Sequence, residues 1–232
     1  MRFKKLIISI FFAVSSSSGA YCDNSSVNLY PPLDFQKKMQ IWLKQGLKIK
    51  EFDSWLYKPG SLFGSADIWW HTKTHYTRAY PHEGVDFYYY QSRESKELLH
   101  VPEGTPIPLI YDGLLKITFQ DFIGLSLLFS TNQYQEIQGK KHQFYLLYSH
   151  VKSLKALNSK LNTLQKAGTI LFTYNQQRKI FAPPHLHITT FWANEQFNPK
   201  EVSWDSIDRD PNIILINPLL TSPKFLKKKL TQ

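Results

Sequence analysis

At 232 residues the chain can bury one good core and has little room for a second large domain. Its 42% hydrophobic and 15% aromatic content excludes disorder as the default state, and the single cysteine, Cys22, excludes an intramolecular disulfide or a cysteine-rich metal site. A formal net charge of +10 draws the protein to polyanions such as cell-wall polymers, anionic lipid or nucleic acid, without choosing among them.

Residues 1–20 read as a secretory signal peptide. Arg2, Lys4 and Lys5 make a basic start, 6–14 an apolar run too short to cross a bilayer at about 20 residues, and Ser15 to Ala20 a small-residue exit. The protein is therefore expected to be secreted, to the periplasm or cell envelope. Cys22 lies near the expected cleavage point, but Tyr21 before it is a poor fit to a lipoprotein signal. Residues 21–59 read as an N-terminal extension. Within it Pro31-Pro32 precedes a helix over 34–45 that places Phe35, Met39, Trp42 and Leu43 on one face, with Asp34 as its cap and Gly46 as its stop. That face either packs on the main domain or covers a cleft.

From Pro59-Gly60 onward short alternating or apolar runs between turn residues predict a mainly β fold, a single antiparallel β-sheet domain over 60–222 with short helical additions. Strands are expected over 85–90, 107–111 and 114–119, the last two joined by a tight turn at Asp112-Gly113. Further strands are expected over 123–129, 143–149, 169–174 and 186–192, with 132–141 as a loop or hairpin tip. Leu154, Leu157, Leu161 and Leu164 recur at helical spacing within 151–166, and Gly168 offers a stop. Residues 223–232 form a basic tail. No internal repeat, coiled coil or transmembrane helix is evident.

Three fragments carry the chemistry: His82-Glu83-Gly84-Val85-Asp86, Tyr148-Ser149-His150, and His185-Leu186-His187. Side chains two apart on a strand point the same way, so His185 and His187 share one side while Leu186 faces the core. Gly84 would let the chain turn sharply, so that His82 from a loop and Asp86 from a strand approach one point. His82, Asp86 and one histidine of the pair suit a hydrolytic zinc site of three protein ligands and one open position. The other histidine of the pair and His150, just past a strand end, remain to accept a proton, hold a carbonyl or protonate a leaving amine.

These fragments resemble the LytM/lysostaphin-type zinc metallopeptidases, the M23 family, whose pattern is His-x-x-x-Asp, then Tyr-x-His, then His-Leu-His. The resemblance covers roughly 60–220. It implies a β domain of LytM/lysostaphin type and one Zn2+ per chain held by His82, Asp86 and His187, with His150 and His185 as the catalytic pair. A tyrosine near the first ligand, Tyr76 in preference to Tyr80, would hold the developing oxyanion. It further implies a secreted monomeric endopeptidase that takes peptidoglycan peptides, not nucleic acid, while the net charge of +10 suits contact with an anionic cell wall or membrane. Three departures bear on cleft shape and substrate preference: no glycine-rich stretch precedes His185, Thr189 or Thr190 stands where an acidic residue often follows the last motif, and the leucine-bearing segment after His150 reads as more helical than the family's. The alternatives are a non-catalytic wall-binding or regulatory relative, and a carbohydrate-binding β domain using Trp69 and Trp70. Retention of all five site positions favours the enzyme.

Overall fold

The computed structural model describes residues 29–70, 77–152, 161–173 and 182–219. Its first element is helix α1, Leu33–Gln45, whose buried residues are Phe35, Met39, Trp42 and Leu43, as the apolar spacing predicts. Gly46 ends it in the left-handed conformation (φ 57°). Asp34 is not its cap. The extended Pro32 starts the helix one residue early, and Asp34 lies inside the first turn, accepting from the Tyr111 hydroxyl at 2.9 Å.

Strands β1 (Phe52–Leu56), β2 (Val85–Phe87), β3 (Tyr89–Ser92) and β4 (Leu98–His100) follow. The run 85–90 is not one strand: it breaks at Tyr88, where the chain passes from the large sheet to a three-stranded sheet ordered β1-β3-β4. Next come β5 (Pro106–Pro108), β6 (Gly113–Gln120), β7 (Leu125–Ile137) and β8 (Lys140–Lys152). The expected hairpin across Asp112-Gly113 does not form. Pro106 and Pro108 lack N–H donors, and β5 pairs with the distant strand β10 (Ile170–Thr173), while β6 pairs with β7. The tight turn lies instead between β7 and β8 at Gln138-Gly139, both with positive φ, so most of 132–141 is paired strand.

The short strand β9 (Leu164–Gln165) pairs with β6, and 161–162 form a turn, so the described part of the expected 151–166 helix is strand and turn rather than helix. Leu161 and Leu164 are both exposed, so they bury no helical face; Leu154 and Leu157 lie outside the described residues. Strands β11 (Leu186–Asn194) and β12 (Ile213–Ile216) complete an antiparallel sheet whose main order is β12-β11-β8-β7-β6-β9.

Strands β8 and β11 are apolar on both faces because both are covered. Phe144, Leu146, Tyr148, Leu186, Ile188 and Trp192 join the core under α1. Tyr145, Leu147, Phe191 and Ala193 join a second core with Phe197, Val202 and Ile207. Trp42 ties the first face together: its indole N–H donates to the Pro108 carbonyl (3.0 Å), and its ring stacks on Trp55 and meets Phe87 edge-on. Helix α1 therefore packs on the domain rather than over the cleft, which opens on the other face. No helix among the described residues is long and apolar enough to cross a membrane.

Candidate metal centre

The antiparallel register sets His187 of β11 directly between Asp86 of β2 and Ser149 of β8. Residues opposite one another on neighbouring strands share a face, so the Asp86 carboxylate and the His187 ring are forced together. His187 Nδ1 lies 2.7 Å from Asp86 Oδ1, and His82 Nε2 lies 3.1 Å from that same nitrogen and 3.4 Å from that oxygen. All three residues are buried, and one ligand atom from each falls within 4.8 Å of the others. Tetrahedral zinc with bonds of about 2.0–2.1 Å needs donors roughly 3.3–3.4 Å apart. The triangle fits with small adjustment.

Outer partners fix which nitrogen faces inward. The Leu62 carbonyl can only accept, so His82 donates to it from Nδ1 (3.1 Å) and keeps the Nε2 lone pair for the centre. His187 Nε2 contacts the Thr189 hydroxyl at 2.7 Å, leaving Nδ1 as the inner atom. Asp86 Oδ2 accepts from the Trp69 indole N–H at 2.6 Å and lies 3.7 Å from Arg78 Nη2, so only Oδ1 points inward. Gly84 serves differently from expectation. It is absent from the positive-φ positions, and a Cβ there would stand 2.5 Å from His187 Nε2 and from the Ile188 carbonyl. Its role is close approach, not a sharp turn.

His185 donates from Nδ1 to the Pro183 carbonyl (2.7 Å), which turns Nε2 inward, 3.6 Å from Asp86 Oδ1, buried and without a hydrogen-bond partner. A buried lone pair facing a carboxylate oxygen is satisfied only by a cation or a proton donor between them. Burial pushes the His185 pKa down to about 3 despite the nearby Asp86 charge, and burial likewise lowers that of His187. Burial alone would raise the Asp86 carboxyl, but His82 and His185 beside it hold it well below the usual carboxylate range.

His150 lies within β8, not past its end, at φ 62°. Strict alternation would send its ring to the α1 face, since Tyr148 faces that core and Ser149 pairs with His187. A bulge intervenes: the partners run Leu127↔Tyr148 and then Leu125↔Val151, leaving an extra residue. The ring therefore lies 4.6 Å from His185 and 5.8 Å from His187, centroid to centroid.

The five histidine and aspartate side chains line a cleft of about 480 Å³ with Trp70, Phe122 and Trp204 among its walls. Trp204 stacks over His150 and meets His187 edge-on. Tyr80 also lines it, whereas Tyr76 lies outside the described residues, as do His71 and His75. Trp69, weighed as a carbohydrate platform, is 5% exposed and holds Asp86. His100 stacks on Tyr88, and His142 bonds the Lys140 carbonyl, both away from the cleft. Sequence reasoning did not single out Arg78, Asp121 or Trp204, and it gave Trp69 and Thr189 no part in the site. Only Thr189 carried a usable signal, two residues after His187 on the same strand face.

No protein-family model and no curated protein matches the chain. Among solved structures it is similar to lysostaphin, with 21% identity over 52% of this chain and a TM-score of 0.32. It is similar to LytU, with 19% identity over 62% of this chain and 81% of LytU at a TM-score of 0.33. A zinc-containing peptidase from Vibrio cholerae is similar at 19% identity over 61% of this chain and 36% of that one, with a TM-score of 0.32. The chain spans 39% of the lysostaphin structure. Likenesses this slight carry no weight for function, which rests on the site.

Proposed function

We propose that this chain is a zinc-dependent metalloendopeptidase of the LytM/lysostaphin type, exported to the cell envelope, where it hydrolyses peptide bonds in peptidoglycan stems or cross-links. One observation carries the reading: His82 Nε2, Asp86 Oδ1 and His187 Nδ1 converge in a buried triangle, and two further histidines face the same cleft. His82, Asp86 and His187 would hold the ion. Zinc bound there would supply Lewis acidity and lower the pKa of water toward neutrality.

The chain's own residues divide the remaining work. Trp69 and Arg78 hold Asp86 Oδ2, which keeps the carboxylate aimed through Oδ1. The bond from His185 Nδ1 to Pro183 keeps its Nε2 lone pair facing the cleft, where the ring, held neutral by burial, can accept a hydrogen bond from water or substrate. His150 is the proton carrier, passing a proton to the leaving amine. Phe122 and Trp204 pack against its ring and exclude water on those sides. Tyr76 is assigned to the developing oxyanion on the sequence resemblance alone.

The test is hydrolysis of purified sacculi, with mass analysis of the fragments, alongside zinc content and melting temperature. His82→Ala should lose the ion, the zinc-dependent rise in melting temperature and the activity together. His150→Ala should keep the ion and its thermal effect yet lose at least about a hundredfold in kcat. Zinc-loaded wild-type protein that leaves every peptide bond intact would favour a non-catalytic wall-binding role.

A further inference from the structure

The four-residue turn between β6 and β7, Asp121-Phe122-Ile123-Gly124, carries a buried carboxylate that the reading above leaves unused. Asp121 is 8% exposed. Its Oδ1 accepts from the Ile123 N–H (2.9 Å) and the Gly124 N–H (2.6 Å), bonds that build the turn. Its Oδ2 accepts from the Ser126 hydroxyl at 2.9 Å and, across the sheet, from the backbone N–H of His150 at 3.0 Å. His150 Nδ1 lies 3.2 Å from Oδ1, close but off the ideal hydrogen-bond axis.

A turn needs only the first pair of bonds. Oδ2 instead clamps the backbone at the bulge, the very residue held at φ 62°. That conformation is uncommon for a residue with a side chain and persists only where the surroundings impose it. The ring is boxed as well: Phe122 meets it edge-on at 4.7 Å and Trp204 stacks over it at 5.8 Å. One carboxylate therefore governs where the His150 backbone sits and which ring nitrogen faces the protein. Burial alone would raise the Asp121 carboxyl, but the His150 side chain and the backbone N–H groups hold it far below the usual range, so it stays ionised.

We propose that Asp121 is a positioning residue for His150, holding the imidazole with its proton on Nδ1 toward the turn and its Nε2 lone pair toward the cleft. An ionised carboxylate can only accept, so it selects the Nδ1–H tautomer. The free Nε2 is then the atom that takes up a proton and later delivers it. This rests on the peptidase reading for its consequence in catalysis, but not for the ring geometry itself.

The experiment uses the full zinc-loaded protein, with ¹⁵N imidazole shifts read well above the imidazole titration range. Wild type should show His150 with Nδ1 protonated and Nε2 bare, and Asp121→Asn should lose that bias, because an amide can donate as well as accept. Asp121→Asn should keep its zinc, leave KM near wild type and lower kcat about a hundredfold. In the His150→Ala background the same change should cost little more, since it acts through the ring that is gone. An Nε2-protonated His150 in wild type would overturn the proposal. So would an unchanged kcat, or an equal loss with and without the His150 ring. If wild type hydrolyses no peptide bond, the function reading fails, and the ring tautomer alone then decides the role of Asp121.

Discussion

Gly84 is kept bare by its neighbour's ring. A methyl group there would stand 2.5 Å from His187 Nε2 and from the Ile188 carbonyl, so the imidazole must tilt and the backbone beside Ile188 must shift with it. Gly84→Ala should therefore weaken zinc binding about tenfold to a hundredfold, the usual cost of disturbing a ligand's orientation, while the fold persists. Competition with a chelator of known affinity measures this; unchanged affinity would show that the ring can tilt freely. The candidate ligands were legible as residue types at recognisable spacing. Their outer partners were not. Trp69 and Arg78 have no sequence relation to Asp86 that periodicity can read, and Thr189, which departs from the family's acidic residue, contacts His187 through its hydroxyl.

At the scale of elements, α1 and β1 are part of the same core as the strands that carry the site. Phe35, Met39, Trp42 and Phe52 are buried in one cluster with Phe87, Tyr148 and Leu186. Trp42→Ala should cost about 3–5 kcal/mol by leaving a cavity at the junction of α1, β1, β2 and β5, and should lower the melting temperature by on the order of 10 °C. Calorimetry checks this, and a change below about 1 kcal/mol would show the helix to be dispensable. The helix was legible because its apolar face repeats at 3.6 residues and Gly46 follows it. The 107–119 hairpin was misread for the opposite reason. Asp112-Gly113 is a strong local turn signal, but β5 found its partner about 60 residues downstream, and local propensity cannot register a distant strand.

For the molecule as a whole, burying charged and neutral titratable groups makes stability depend on pH. Asp121 and Asp86 both hold their folded carboxyl pKa below the ordinary aspartate value. A depressed folded pKa means the unfolded chain takes up protons first, so this stabilisation is present above about pH 4 and is lost as pH falls below it. Metal-free protein followed by urea unfolding should show a steep loss of stability below about pH 4, and Asp121→Asn should lower the plateau and flatten that limb. An acid limb equally steep in the variant would mean that Asp86 or the buried, neutral His185 and His187 carry it.

Composition and periodicity were enough to point to a mainly antiparallel β domain and its N-terminal helix, and motif spacing singled out four histidines and an aspartate that the fold brings to one cleft, because residue type and short-range spacing survive in the linear chain. Tertiary structure alone decided that His150 turns toward His185 rather than into the core, since a bulge of one extra residue reverses a side chain's face and leaves no mark in the order of amino acids. It alone decided that Asp121, 29 residues away, holds that bulge, because a carboxylate's acceptors are matched to donors by proximity in space and not by distance along the chain.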